Sequence, residues 1–143
     1  MHKKTCLHVA ALALILSPAS FAADGEHSLY QRLGGAPVVS QVVEETVEAV
    51  ARDPRVNQSF DKVDRKKLNQ KIVEQICALA GGGCRYTGDD MKKVHAGLDI
   101  TEHGFYAMVA ALRISLDANG VGEREKNELL RLLAPMKRDV VTR

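Results

Sequence analysis

Gly81-Gly82-Gly83-Cys84-Arg85-Tyr86-Thr87-Gly88-Asp89-Asp90-Met91-Lys92-Lys93-Val94-His95-Ala96-Gly97-Leu98 is the stretch whose reading decides the fold. A glycine run closes one helix, a tight link follows, and a short second helix delivers a single histidine. Asp89 or Asp90 can cap that helix by accepting from first-turn amides that otherwise lack partners. Gly97 can stop it, because glycine tolerates the left-handed conformation of a helix end. Between these signals Met91, Val94, His95 and Leu98 fall on one face at i, i+3, i+4 and i+7. The spacing therefore predicts that His95 points inward with the apolar residues.

A buried imidazole needs partners for its ring nitrogens, or a metal. An ordinary core histidine, satisfied by a hydrogen bond, accounts for the spacing as it stands. No other His, Cys, Asp or Glu lies at a metal-site spacing around His95. If it binds iron, a cofactor must supply the remaining ligands. Haem does so, since the porphyrin fills the equatorial positions and the protein adds one proximal imidazole.

Outward from this stretch the chain reads as helices. Leu29, Tyr30 and Leu33 suggest one short turn stopped by Gly34-Gly35, and Pro37 suits the first position of the next helix, where its missing N–H has no role. Val39, Val43, Val47 and Val50 recur near a 3.6 period, and Asp53-Pro54 ends the run because proline disfavours helix in the residue before it. A short connection carries Phe60. Asp64 caps a second long helix with Leu68, Ile72, Ile76 and Leu79 on its apolar face and Lys66, Lys67, Asn69, Gln70 and Glu74 largely opposite. Thr101 caps a third, striped with Phe105, Met108, Val109, Leu112 and Leu116, and Asn119-Gly120 stops it. A last helix, about Glu123 to Asp139, carries Leu129, Leu130, Leu133 and Met136, with Pro135 as a bend or an early end. No segment reads as strand, so the fold class is all-α.

The first 22 residues read as an export signal: a basic start at Lys3-Lys4, an apolar run from Leu7 to Leu16, and Ser20-Phe21-Ala22 as a small-x-small cleavage site. That run is shorter than the roughly 20 residues a membrane span needs. Residues 23–143 then form a single domain with one core. Without Lys3 and Lys4 the 20 basic residues fall to 18, against 18 acidic ones. A neutral chain of this kind does not predict a nucleic-acid partner. The expected location is the periplasm, with no membrane attachment after cleavage.

Taken in order, these motifs resemble the group I truncated haemoglobins, over about Ser28 to Val141. Leu29-Tyr30-Gln31-Arg32-Leu33-Gly34-Gly35 is similar to the family's first glycine hinge and Ala80-Gly81-Gly82 to its second. Asp53-Pro54-Arg55 and Phe60 match the segment that sets a phenylalanine against haem. Arg85 to Met91 and Val94-His95-Ala96-Gly97-Leu98 match the proximal stretch, Ile100-Thr101 and Phe105 the next helix, and Leu133-Ala134-Pro135 the last. The resemblance implies a two-over-two helical sandwich, His95 as the proximal iron ligand, and a slot lined by Phe60, Leu68, Ile72, Met91, Val94 and Phe105. It implies binding of oxygen or another diatomic gas, and the leading expectation is such ligand binding or single-electron transfer ahead of a dedicated enzymatic turnover. The absence of Cys-x-x-Cys-His predicts non-covalent haem b.

Departures from the family pattern fall on the distal side. Thr46-Val47 stands where a Phe-Tyr pair is usual, Ile72 where a glutamine is frequent, and Gln75 where an aromatic is found further along. The side chains that normally hydrogen-bond dioxygen are missing, which argues against tight oxygen storage and against nitric oxide dioxygenation. Lys71, beside Ile72, is a candidate second axial ligand, its alternative being an ammonium set at a propionate or in water. Arg85 and Tyr86, then Lys92 and Lys93, are candidates for the propionates. His27 and His103 are assigned no role. Cys77 and Cys84 straddle the second hinge, and in an oxidising compartment a disulfide there would contribute about 2–3 kcal/mol. The competing functions are a haem-free globin-like interaction module and a thiol-redox protein using Cys77 and Cys84.

Overall fold

The structure, a computed structural model, describes residues 27–143. Among these the elements are α1 (Leu29–Arg32), α2 (Gly35–Arg52), a 3₁₀ turn (Asn57–Phe60), α3 (Arg65–Leu79), α4 (Met91–His95), α5 (Glu102–Ala118), α6 (Glu123–Leu133), a second 3₁₀ turn (Ala134–Met136) and α7 (Lys137–Val140). No strand occurs among the described residues. The proposed export signal lies outside them.

Local chemistry sets the boundaries. Ser28 begins α1 through a reciprocal capping box with Gln31, a Ser-x-x-Gln pattern that satisfies two first-turn amides at once. Asp64, Asp90 and Thr101 each accept from the amide three residues on, starting α3, α4 and α5. Gly34 caps α2 at φ +98°, and a Cβ there would lie 2.4 Å from Val38 Cγ2. That hinge admits only glycine. Helix α2 begins at Gly35, ahead of the expected start at Pro37. The proline is tolerated two residues in because first-turn amides have no intrahelical acceptor. Pro135 marks an end: α6 stops at Leu133 and a 3₁₀ turn follows.

Helix α2 is the spine. It packs against both α3 and α5, while α1 docks on α6 and α4 on α7. Val39, Val42, Val43 and Val47 of α2, Leu29 and Leu33, Ile76, Leu112 and Leu116, and Leu129 form the core. Leu79, expected on the buried face of α3, is exposed instead. Of the expected face, Ile76 is in the core and Leu68 and Ile72 pack against it, joined by Val73, and Cys77 is buried as well.

Polar ties fix the ends. Arg32 of α1 pairs with Glu125 (3.3 Å) and Glu128 of α6. Asn119 Nδ2 donates to Glu45 Oε2 across to α2 and to Ser115 O, both at 2.8 Å. Lys126, with a side chain only 2% exposed, pairs with Asp117 and with Glu123 (2.5 Å). Those carboxylates hold its pKa above the ordinary lysine value.

Candidate functional site

Helix α4 has only five residues, so its own hydrogen bonds cannot hold it. Asp90 caps it by accepting from the Lys93 amide. Below it, Thr142 N–H donates to Ile100 O (2.9 Å) and Ile100 N–H to Thr142 Oγ1 (3.0 Å), so the chain end supports the link to α5. Opposite, Gln75 Nε2 of α3 donates to Met91 Sδ at 3.4 Å. Within this frame His95 is half-buried, with Nδ1 2.7 Å from the Met91 carbonyl oxygen. That contact makes Nδ1 the protonated nitrogen and leaves Nε2, without a hydrogen bond among the described residues, as the available lone pair.

The apolar face expected to turn inward does so only in part. Met91 is half-buried, but Val94 and Leu98 are 43% and 41% exposed. The core closes over α1, α2, α3, α5 and α6 without them. Phe60, Leu68, Ile72 and Phe105, all half-buried, complete the set of apolar side chains that the family resemblance places along the slot. This fits a broad apolar cofactor. One imidazole nitrogen is free, and Val94 and Leu98, either side of His95 in sequence, are left uncovered by the chain. No cluster of His, Cys, Asp or Glu among the described residues could hold a metal ion unaided. A cleft of about 210 Å³ between α2 and α5, lined by Ala49, Asp53, Ala107 and Ile114 among others, does not include His95.

On the distal side Val47 is buried, and Thr46 spends its hydroxyl on Val42 O at 2.7 Å. Asn69, expected on the polar face, is half-buried, and its Oδ1 is buried without a partner among the described residues. Its place between Lys67 and Lys71 gave no sign of this. Lys71 Nζ bonds Glu74 Oε2 (2.9 Å) and Oε1 (3.2 Å) and Thr87 Oγ1 (2.5 Å). Thr87 in turn donates from its hydroxyl to Glu74 Oε2 at 2.8 Å. Lys71 and then Thr87 hold the Glu74 carboxyl below the usual range.

Among the propionate candidates, Arg85 and Lys92 are exposed. Lys93 is paired with Asp89 (2.7 Å), which raises its pKa. Tyr86 donates its hydroxyl to Asp89 O at 2.9 Å, and burial pushes its phenol up. His27 and His103 are exposed. Cys77 and Cys84 form a disulfide, with Cα atoms 5.6 Å apart.

Residues 28–142 match the bacterial-like globin family. A group 1 truncated haemoglobin, GlbN, of Mycolicibacterium paratuberculosis is 35% identical over 115 residues, covering 80% of this chain and 85% of that one. The chain belongs to the group 1 truncated haemoglobins. The truncated haemoglobin of Tetrahymena pyriformis in its Fe(III) form superposes with a TM-score of 0.77 at 24% identity, over 82% of this chain and all of that one. A 2/2 haemoglobin from Synechococcus, described as cyanomet with covalently attached haem, gives 0.76 at 29% identity over the same shares. A truncated haemoglobin is a haem-binding globin, and the two-over-two helical arrangement is the fold of these neighbours.

Proposed function

We propose that this truncated haemoglobin is an exported protein in which His95 is the proximal ligand of a non-covalently held haem b, and that it binds a diatomic gas and passes single electrons. The observation that carries the reading is the His95 ring, fixed through Nδ1 on the Met91 carbonyl with Nε2 free. When bound, haem supplies an iron that takes a diatomic ligand and exchanges one electron. The chain supplies the rest. Met91 O orients the ring and adds to its basicity. Phe60, Leu68, Ile72 and Phe105 exclude water, and exposed Arg85 and Lys92 are the cations left to meet the propionates, since Tyr86 and Lys93 are already engaged with Asp89.

Weak retention of oxygen follows from the distal side. Val47, Leu68 and Ile72 offer no donor, and the Thr46 hydroxyl is already used. Attachment through thioethers of Cys77 or Cys84 is excluded while these are bonded to each other, which supports haem b over a c-type link. The same disulfide supports export, since such bonds persist in oxidising compartments.

His95→Ala should abolish stable haem binding, with added imidazole restoring it, because no neighbouring side chain can replace the ring. An unchanged Soret spectrum and haem affinity in the variant would sink the assignment. To serve as second axial ligand, Lys71 must first lose a proton and give up its bonds to Glu74 and Thr87. At neutral pH the wild-type and Lys71→Ala spectra should therefore match. A wild type that is low-spin, becoming high-spin in Lys71→Ala, would establish Lys71 as the ligand.

A further inference from the structure

One edge of α3 holds the segment that leads to His95 in three successive places. Glu74 and Lys71 grip Thr87, Gln75 reaches Met91, and Cys77 is bonded to Cys84. The hydrogen bonds are polar contacts at or near the surface, each worth little alone. The disulfide is the covalent member of the set. Its two halves differ in access: Cys77 is 1% exposed, whereas Cys84 is an exposed residue. Gly82 sits against it, where a Cβ would lie 2.6 Å from Cys77 Sγ. The segment so held supplies Met91, whose carbonyl sets the His95 ring.

We propose that Cys77–Cys84 is a thiol-exchange site at which a dithiol reductant controls how firmly the His95 arm holds haem. A thiolate of the reductant attacks the accessible sulfur, that of Cys84, and the S–S bond breaks with its electron pair leaving on Cys77, which takes up a proton. The reductant's second thiolate then displaces Cys84 from the mixed disulfide. The chain is reduced to two thiols and the dithiol is oxidised to a cyclic disulfide. With that bond open, residues 84–91 keep only the Thr87 and Met91 hydrogen bonds to α3, and local opening becomes more frequent. His95 loses its fixed approach and haem leaves faster. The inference rests on His95 as the proximal ligand.

The test uses the mature protein in two states. In the haem-loaded form, haem transfer to excess apomyoglobin is timed with and without dithiothreitol. Reduction should speed it by about tenfold or more, since closure of a small loop by a disulfide is worth more than one decade in an equilibrium constant. Cys84→Ser, a change at the exposed half, should be fast in either condition. In the haem-free form, hydrogen exchange at the Thr87 amide, which donates to Glu74 Oε2 at 3.3 Å, should quicken on reduction while the Val43 amide of α2 does not. Equal transfer rates in the oxidised and reduced protein, or a disulfide that dithiothreitol leaves intact in the folded chain, would overturn the proposal. A protein that takes up no haem would defeat the proximal assignment instead. In that case the exchange measurement still decides whether the disulfide clasps the arm.

Discussion

Asp53 is the residue with the clearest pH signature. Arg55 donates to it from its side chain and its backbone, and these bonds hold the Asp53 carboxyl down from 3.8 to about 2. A carboxyl depressed on folding stabilises the protein above its unfolded value, and that contribution is lost as pH falls through the folded one. The loss therefore belongs to the window from about 3.8 to about 2. Arg55→Ala should return the Asp53 titration toward the ordinary value, as followed by carboxyl NMR, and move the start of acid unfolding to higher pH. At Gly82 the constraint is steric, since a Cβ would meet Tyr30 Cδ1 as well as Cys77 Sγ at 2.6 Å. Gly82→Ala should destabilise by about 1–3 kcal/mol, the usual range for overpacking, measured by urea unfolding.

Helix α4 is the element on which the site depends and the one with least of its own to hold it. Asp90→Ala removes its cap, for which the expected cost is about 1 kcal/mol. Because the helix carries His95, the loss should register as weaker haem retention more than as a lower melting temperature of the haem-free protein. Equal haem-loss rates in Asp90→Ala and wild type would show that α7 and the Met91 contact suffice to hold it. Most of this element was readable from sequence, since caps and glycine stops are local chemistry. Asp64, Asp90 and Thr101 begin helices where that chemistry says they should. What was not readable depended on how helices rotate against each other. Leu79 is apolar and in register with Ile72 and Ile76, yet it is exposed, while Val73 packs on the core and Cys77 is buried. Asn69 looks like a surface residue and is half-buried. Ser28 did carry a signal, its capping box with Gln31, a Ser-x-x-Gln spacing legible beside the short turn read at Leu29 to Leu33.

Across the whole molecule, the haem slot proposed beside α4 would link stability to haem binding. A ligand at a thousand times its Kd adds about 4 kcal/mol to the state that binds it. The haem-loaded protein should melt several degrees above the haem-free one by calorimetry, and His95→Ala should erase most of that difference. At the far end, the corner between α5 and α6 is closed around Lys126, and here the linkage runs the other way in pH. A lysine whose pKa is raised on folding stabilises fully below its unfolded value and loses that contribution as pH rises through the folded one. The same burial gives Lys126 a use as a chemical clock. Amine acylation needs a free, reachable nitrogen, and Lys62, Lys66, Lys67 and Lys92 present theirs on exposed residues, whereas the Lys126 side chain is 2% exposed between two carboxylates. In a timed acetylation read by mass spectrometry, those four should be modified early. Lys126 should stay blank until α6 lifts from α5, so the age of its first label records how often that corner opens.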